Sequence, residues 1–272
     1  MTVETIDFEA LTRRQQRVWA SGDFSVVGAV VHPVAERLAE NAELRAGWRV
    51  LDVATGSGNA AIAAARHGAE VVGLDYVPAL LERGRMRAAA EGLPVSFVEG
   101  DAQALPFADD EFDAAISVYG AMFAPDQRLA ASELARVTRA GGTVALASWT
   151  PDSFIGRIFD VVSRFVPPAP SVPMPFVWGT EEGLHNLFGR HITDLRTRQQ
   201  TFTMRFTSPE RFVEFFRTWY GPTLRAFEST PESDRPELHR QLADLARDAD
   251  VLKDGASIAI PAVYLEAIAT VR

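Results

Sequence analysis

The sequence predicts an α/β fold with a doubly wound, mostly parallel seven-stranded sheet, a helical cover from the N-terminus and a late insertion. The first observation is a short apolar run at 49–53 that leads through a glycine turn into an alanine-rich, helix-forming segment. The second is the alternation of four more apolar runs with helix-like segments as far as Trp149. The third is a pair of late strand-like segments, 194–206 and 258–271, which we expect to pair antiparallel at the sheet edge.

Residues 1–45 are expected to form an N-terminal helical cover. Apolar residues recur at helical spacing from Phe8 to about Glu40, and Gly22 with Asp23 interrupts the pattern. Because these helices precede the first strand, they are placed to cover the sheet rather than to build it.

Residues 46–150 are expected to form the core. Pro78 favours the start of a helix that ends at Gly92, and Gly141 with Gly142 is expected to close a helix over 129–139. The remaining strands of this region are predicted at 70–75, 95–98, 112–119 and 143–149.

Residues 151–272 are expected to supply cover helices and then the last two strands of the same sheet. A hydroxyl residue, a proline and an acid occur together three times, a pattern typical of helix starts, with Thr150, Ser208 and Thr230 as the capping residues. The proline-rich segment 167–175 is interpreted as a stiff connector.

The composition excludes several classes of function. A formal net charge of -9 disfavours nucleic acid and anionic membranes as partners, and no apolar run reaches the length of a membrane span. With no cysteine, the chain has no disulfide, no thiolate nucleophile and no cysteine metal site, and its histidines and acids show no metal-site spacing. We therefore expect a cytoplasmic protein without a metal.

The glycine turn formally satisfies a dinucleotide-binding fingerprint, with Gly56, Gly58 and Ala61 in the required positions. Asp52 argues against that interpretation, because a carboxylate beside the turn would repel a pyrophosphate and attract an ammonium group. Asp75 and Asp101 follow at the ends of the second and third strands. Parallel strands place their carboxyl ends at one edge, so the three acids suit a ligand with a cationic amino-acid tail, a ribose and an adenine. The alternative, in which each acid merely caps the next helix, is less favoured for all three together.

Five motifs in order carry a family resemblance: V-L-D-V-A-T-G-S-G, V-V-G-L-D-Y, E-G-D-A-Q-A-L-P-F, F-D-A-A-I-S and E-L-A-R-V-T-R-A-G-G-T. Over roughly Trp48 to Trp149 the chain resembles the class I S-adenosylmethionine-dependent methyltransferases. It is most similar to the methyltransferase type 11 group, which includes enzymes like the ubiquinone and menaquinone C-methyltransferases. The resemblance implies a Rossmann-like methyltransferase fold, S-adenosyl-L-methionine as cofactor and S-adenosyl-L-homocysteine as product.

The resemblance also implies roles for individual residues. Asp52 would face the methionine amino group, Asp75 would hold the ribose, and Ser117 would lie under the methionyl portion. Asn59 departs from the pattern, since many relatives have a third glycine there. The full set of implied cofactor-binding residues is Asp52, Ala54, Gly56, Gly58, Asn59, Asp75, Tyr76, Asp101, Ala102, Gln103 and Ser117.

The acceptor site is the least defined part of the prediction. Aromatic faces are favourable near a sulfonium, so the aromatic residues of the cover are candidates to line the site. The predicted substrate residues are Trp19, Phe24, Tyr119, Phe123 and Trp178. No catalytic general base can be identified from the sequence.

The predicted function is methyl transfer from S-adenosyl-L-methionine to a small-molecule acceptor with a carbon, oxygen or nitrogen nucleophile, by a monomer or homodimer. One alternative is an NAD(P)-dependent oxidoreductase, against which Asp52 and Asp101 argue. The other is a non-catalytic protein with the same fold that binds S-adenosyl-L-methionine, or nothing, as a regulator or partner subunit.

Overall fold

A computed structural model of the protein describes residues 6–168 and 174–272. Its seven strands form one sheet in the order β3-β2-β1-β4-β5-β7-β6. The first five strands pair in parallel, and β7 pairs antiparallel with both β5 and β6. The strand bounds are β1 (Arg49–Val53), β2 (Glu70–Asp75), β3 (Val95–Glu99), β4 (Phe112–Val118), β5 (Thr138–Trp149), β6 (Ile192–Phe206) and β7 (Ile258–Val271). The seven-stranded, mostly parallel sheet with an antiparallel edge is thus confirmed.

Ten α-helices and three short 3-10 helices complete the described part of the chain. The α-helices are α1 (Phe8–Trp19), α2 (Phe24–Asn41), α3 (Asn59–Arg66), α4 (Pro78–Ala90), α5 (Gln127–Val137), α6 (Phe154–Phe165), α7 (Glu181–Phe188), α8 (Pro209–Trp219), α9 (Gly221–Ser229) and α10 (Arg235–Ala249). The 3-10 helices span Ala121–Phe123, Pro175–Gly179 and Gly189–His191. In the described part of the chain, no helix combines the length and the apolar character that crossing a membrane requires.

The two N-terminal helices differ from one another. Helix α1 has no buried residue, which fits a cover. Helix α2 instead buries one side in the core, where Val31, Val34 and Leu38 are almost fully inaccessible. Its apolar face packs on α3 and the sheet. Only α1 is therefore a pure cover, while α2 also stabilises the sheet.

Of the three predicted capping residues, two are wrong and one is confirmed. Helix α6 begins at Phe154 because Ser153, rather than Thr150, accepts the first-turn amide of Gly156 at 3.0 Å. Thr230 closes α9 by donating its hydroxyl to the carbonyl of Ala226, and α10 starts only at Arg235. A competing hydroxyl caps α6, whereas Asp234, the residue before α10, forms no side-chain capping hydrogen bond. The cap predicted at Ser208 is confirmed, since its side chain accepts from the amide of Arg211.

The glycine pair at 141–142 does not close a helix. Helix α5 ends at Val137 and the chain enters β5 directly at Thr138, so both glycines lie within the strand. A Cβ at Gly142 would meet the carbonyl oxygen of Asp113 at 2.7 Å, and this close approach explains the residue there. Residues 169–173, at the centre of the proline-rich segment interpreted as a connector, lie outside the described residues.

Candidate functional site

The turn after β1 is held in a strained left-handed conformation. Ala54, Gly56 and Gly58 have φ of 56°, 55° and 84°, a region that costs a residue with a Cβ roughly 1 kcal/mol or more. The carboxylate of Asp52 supports this turn, because it accepts from the Thr55 hydroxyl and from the Ala61 amide at 2.8 Å. The glycine turn is therefore held rigidly, and its glycines leave the backbone open to a ligand.

Asp52 is buried beneath this turn. The residue is 1% exposed and does not line the cavity described below. Burial raises its pKa to about 7, and the hydrogen bonds from Thr55 and Ala61 oppose that rise. In the structure Asp52 orders the turn through these two hydrogen bonds. Its contact with a ligand amino group stays a prediction.

Asp75, at the end of β2, faces the cavity from below. One carboxylate oxygen accepts from the Gly56 amide at 2.8 Å and the other accepts from the Val77 amide at 2.9 Å. Burial raises its pKa to about 6. Each carboxylate oxygen has further lone pairs, so Asp75 can still accept hydrogen bonds from a ligand in the cavity.

The loop after β3 brings Asp101 to the same edge. Asp101 accepts from both the amide and the side-chain NH2 of Gln103. Gln103 also donates to the Thr12 hydroxyl at 2.8 Å and accepts from the Asp126 amide at 2.7 Å. Since Thr12 belongs to α1, this network ties the cover to the strand edge.

A first cavity opens between these acids and helix α1. It holds about 680 Å³ when the open space at its mouth is included. No lysine or arginine is among its lining residues in the described part of the chain. The lining residues are Thr12, Gln15, Trp19, Phe24, Ala54, Gly56, Leu74, Asp75, Tyr76, Leu80, Gly100, Asp101, Ala102, Gln103, Val118, Tyr119, Gly120, Phe123, Ala124 and Pro125.

The first cavity therefore has negative fixed charge and unused hydrogen-bond acceptors. Gln15, on its α1 wall, buries a side-chain oxygen that has no partner among residues 6–168 and 174–272. A hydrogen-bond acceptor without a partner, next to two carboxylates, favours a ligand that has hydrogen-bond donors and positive charge. A diphosphate would meet only repulsion there, which disfavours a dinucleotide.

Seven of the predicted cofactor residues converge on this cavity and four lie outside its wall. The seven are Ala54, Gly56, Asp75, Tyr76, Asp101, Ala102 and Gln103. Outside the wall, Asp52, Gly58, Asn59 and Ser117 shape the backbone around it. Ser117, for example, donates to the Val53 carbonyl at 2.7 Å and accepts from the Ala121 amide at 2.9 Å, joining the ends of β1 and β4.

The side chain of Asn59 forms contacts that the glycine found at this position in many relatives could not form. Its amide nitrogen donates to the Gly28 carbonyl in α2 and its oxygen accepts from Arg87 in α4, both at 2.8 Å. Arg87 also donates to the carbonyl of Ser57 at 2.7 Å. The glycine turn is therefore clamped between two helices, a link that needs Asn59 rather than glycine.

The sequence analysis missed the α1 residues of the first cavity, Thr12 and Gln15, together with Gly100 and Pro125. Thr12 and Gln15 are seven and four positions before Trp19, so all three can share one side of a helix. That spacing is the signal that could have identified them. Gln16 adds a further contact of α1 by donating to the Tyr76 carbonyl.

A second cavity, of about 480 Å³ when the open space at its mouth is included, adjoins the first. The two share Trp19, Phe24, Tyr119 and Phe123, which are four of the five predicted substrate residues. Its lining residues are Trp19, Phe24, Val27, Val30, Val31, Tyr119, Phe123, Trp149, Ile155, Met204, Phe215, Phe216 and Tyr220. Trp178, the fifth predicted residue, lines neither cavity; it is 1% exposed and packs edge-on against Phe188.

Tyr119 forms the partition between the two cavities. Its φ is 59°, an uncommon value for an aromatic residue, and its ring stacks on Trp149 with centroids 3.7 Å apart. Its hydroxyl is buried with no partner in the described part of the chain, and burial raises its pKa. Strain held by packing at a cavity wall is typical of functional positions.

A contact between distant parts of the chain borders the second cavity, since Tyr220 belongs both to the contact and to the cavity wall. Gly22, in the turn between α1 and α2, forms an antiparallel bridge with Tyr220, in the turn between α8 and α9. A Cβ at Gly22 would lie 2.5 Å from the Trp219 carbonyl oxygen, and one at Gly221 would lie 2.1 Å from that of Val18. Both glycines are required by this close approach of the two turns.

The comparisons with known proteins agree with this geometry. Residues 50–142 match the family described as "Methyltransferase domain". An uncharacterized protein of Mycobacterium tuberculosis strain H37Rv is 40% identical over 259 residues, covering 91% of this chain and 93% of the relative. A demethylmenaquinone methyltransferase of Thermus thermophilus is 41% identical over 139 residues, covering 50% of this chain and 60% of that protein. The crystal structure of the Bacillus subtilis YcgJ protein shares the fold, with a TM-score of 0.60 at 23% identity, covering 89% of this chain and 99% of that one.

Proposed function

Because this chain belongs to the S-adenosylmethionine-dependent methyltransferases, we propose that it transfers the methyl group of S-adenosyl-L-methionine to a small-molecule acceptor. The observation that carries the proposal is the pair of joined cavities at the carboxyl edge of the sheet, one lined by acids and one apolar. A two-substrate reaction needs two adjoining sites, and the shared aromatic wall is where the reacting groups would meet.

The donor set of the first cavity fits S-adenosyl-L-methionine. Asp75 offers free lone pairs to the two ribose hydroxyls, and Asp101 can accept from the adenine amino group. Tyr76 supplies an aromatic flank for the adenine. The orphaned oxygen of Gln15 is an additional acceptor for the nucleoside or the ammonium group. These residues, with the backbone of the Gly56 turn, would hold the cofactor.

When bound, this cofactor would supply an electrophilic methyl group to an electron pair of the acceptor. The chain itself binds, aligns and excludes water. The rings of Trp19, Phe24 and Phe123 enclose the shared wall, and their faces favour a nearby cation. In the described part of the chain no histidine lines either cavity, so alignment rather than an imidazole base is the main contribution of the protein.

The composition supports further parts of the proposal. The net charge of -9 favours a small molecule over nucleic acid as acceptor. Because the chain has no cysteine, it does not need an oxidising compartment to form disulfides. We accordingly propose action in the cytoplasm, as a monomer or homodimer without nucleic-acid or membrane partners. The name of the Thermus relative specifies a quinone as its acceptor. We do not propose that acceptor for this chain, because the match covers only half of it.

Thermal unfolding with four ligands in parallel tests the cofactor. A ligand that binds only the folded protein raises Tm, by an amount set by its concentration over Kd. We expect S-adenosyl-L-methionine and S-adenosyl-L-homocysteine to raise Tm by several degrees at saturating concentration, and NAD and NADP to leave Tm unchanged. A rise with a nicotinamide nucleotide, or no rise with any of the four, would overturn the proposal.

A further inference from the structure

The second cavity carries information about the acceptor because of what its wall lacks. Among its lining residues in the described chain there is no Asp, Glu, His, Lys or Arg. An unpaired charge moved into such an environment would cost several kcal/mol or more, and nothing on this wall could neutralise it. An acceptor that is charged at neutral pH is therefore disfavoured here.

The wall is also strongly aromatic. Trp19 packs edge-on against Phe24 and Tyr220 with ring centroids 5.6 Å apart in both pairs, and Phe216 lies 5.4 Å from Tyr220. Aromatic side chains of this kind pack best against flat, polarisable groups at offset or edge-on angles. Their arrangement favours a ligand with a ring over a flexible polar one.

Two hydroxyls on this wall, those of Tyr119 and Tyr220, have no hydrogen-bond partner among residues 6–168 and 174–272, and of the two only the Tyr119 hydroxyl is fully inaccessible. The accessible hydroxyl is that of Tyr220, whose residue as a whole is 7% exposed. Its position is fixed on both sides, because its backbone forms the bridge to Gly22 and its ring packs against Trp19. A hydroxyl that is rigidly held, unpaired and still accessible is suited to fix the polar atom of a ligand.

We propose that the second cavity is the acceptor site and that it takes an uncharged, mainly apolar ring compound whose polar substituent is hydrogen-bonded by Tyr220. This inference rests on the proposed function for the identity of the neighbouring site, but the binding it describes can be measured without turnover. The bridge between Gly22 and Tyr220 lies at the edge of this cavity and fixes the Tyr220 side of its wall.

The test measures binding by calorimetry on the full-length protein saturated with S-adenosyl-L-homocysteine. The probes are 2-naphthol, which is neutral at pH 7, and 2-naphthoate, which has the same ring system and a negative charge. We expect 2-naphthol to bind and 2-naphthoate to bind about a hundredfold more weakly. Met204→Phe, which enlarges a side chain that lines only the second cavity, should weaken 2-naphthol binding at least about tenfold and leave S-adenosyl-L-homocysteine affinity unchanged.

Two matched controls separate the site from the fold. Tyr220→Phe should weaken 2-naphthol binding about threefold to tenfold, whereas Tyr264→Phe, which removes a hydroxyl outside both cavities, should not. Met86→Phe, at an exposed position on α4, should change neither affinity. Equal binding of the two probes, no binding of 2-naphthol, or full binding by Met204→Phe would each overturn the inference. If wild-type protein fails to bind S-adenosyl-L-homocysteine, the proposed function fails instead, and the same probes without it still decide the nature of the cavity.

Discussion

The two cavities share one wall yet are built in opposite ways. The first is bounded by segments that directly follow β1, β2, β3 and β4, and its acids and free acceptors give it a negative, hydrogen-bonding interior. The second collects side chains from α1, α2, α6, β6 and α8, and in the described residues none of them is charged. One cavity is therefore specified by short turns, and the other by packing between distant segments.

The difference shows how one site can serve a charged cosubstrate beside a neutral one. Fixed carboxylates and strained turns are rigid and close to the sheet, so they suit a ligand that must be held in one orientation. The residues that line only the second cavity, such as Met204 and Phe215, lie on segments other than those turns. We therefore expect substitutions there to alter the second cavity and to leave the first intact.

The largest expected effect comes from removing the acid of the first cavity. Asp75→Ala deletes the acceptor for the Gly56 and Val77 amides and for the ribose hydroxyls, so S-adenosyl-L-homocysteine affinity should fall about a hundredfold. Calorimetry measures this. The affinity of the second cavity for 2-naphthol should persist, which would separate the two cavities directly.

Asp113→Ala is the matched control for that variant. Asp113 also accepts from a backbone amide, that of Arg49, and pairs with Arg139 at the opposite part of the sheet, outside both cavities. Its removal should leave S-adenosyl-L-homocysteine binding unchanged. Equal losses in the two variants would mean that the effect of Asp75 is one of general stability.

The next effect in size is a pH dependence confined to the first cavity. Burial raises the pKa of Asp75 to about 6, and ligand hydroxyls favour its ionised form. Affinity for S-adenosyl-L-homocysteine should therefore rise with pH, by about tenfold between pH 5 and pH 7.5, because only about one tenth of the carboxyl is ionised one unit below its pKa. Calorimetry over that range, in two buffers of different ionisation enthalpy, measures both affinity and proton release.

The stability of the ligand-free protein should respond with the opposite sign. The pKa values of Asp75 and Asp52 are raised to about 6 and about 7, whereas both groups titrate near 4 when unfolded. Their contribution to stability is thus full below about pH 4 and is lost as pH rises through 6 to 7.

The variant Asp75→Asn tests the pH dependence of binding. It should flatten the dependence of S-adenosyl-L-homocysteine affinity on pH, and an unchanged slope in that variant would contradict the assignment of the pH dependence to Asp75.

The smallest effect is expected where a side chain only positions the first cavity. Asn59→Ala removes the link from the glycine turn to Gly28 and Arg87, so S-adenosyl-L-homocysteine affinity should fall roughly threefold to tenfold. Asn41→Ala, which cuts a similar amide contact from α2 to Glu266, should have no effect on that affinity. A normal affinity in the Asn59 variant would make this link purely structural.

The sheet and the first cavity could be predicted well from the sequence because their signals are local. Apolar runs and glycine turns define β1 and β2, and an acid at each strand end reaches the same edge in any parallel sheet. Helix ends were harder to predict, since Thr150 and Ser153 both had suitable hydroxyls and only packing chose between them. Trp178 was predicted to line the substrate site together with Trp19, but its ring packs against Phe188 and lines neither cavity.

The sequence by itself therefore determined the fold class, the strand-end acids and the kind of ligand they suit, because hydrophobic periodicity and turn chemistry act over a few residues. Only the tertiary structure decided which aromatic residues meet, how α1 covers the acids, and that Gly22 closes against Tyr220. The contacts of α1 join segments 60 and 91 residues apart, and the one between Gly22 and Tyr220 joins segments about two hundred residues apart. Over such separations no local pattern constrains the pairing, and the packing of the whole core selects it.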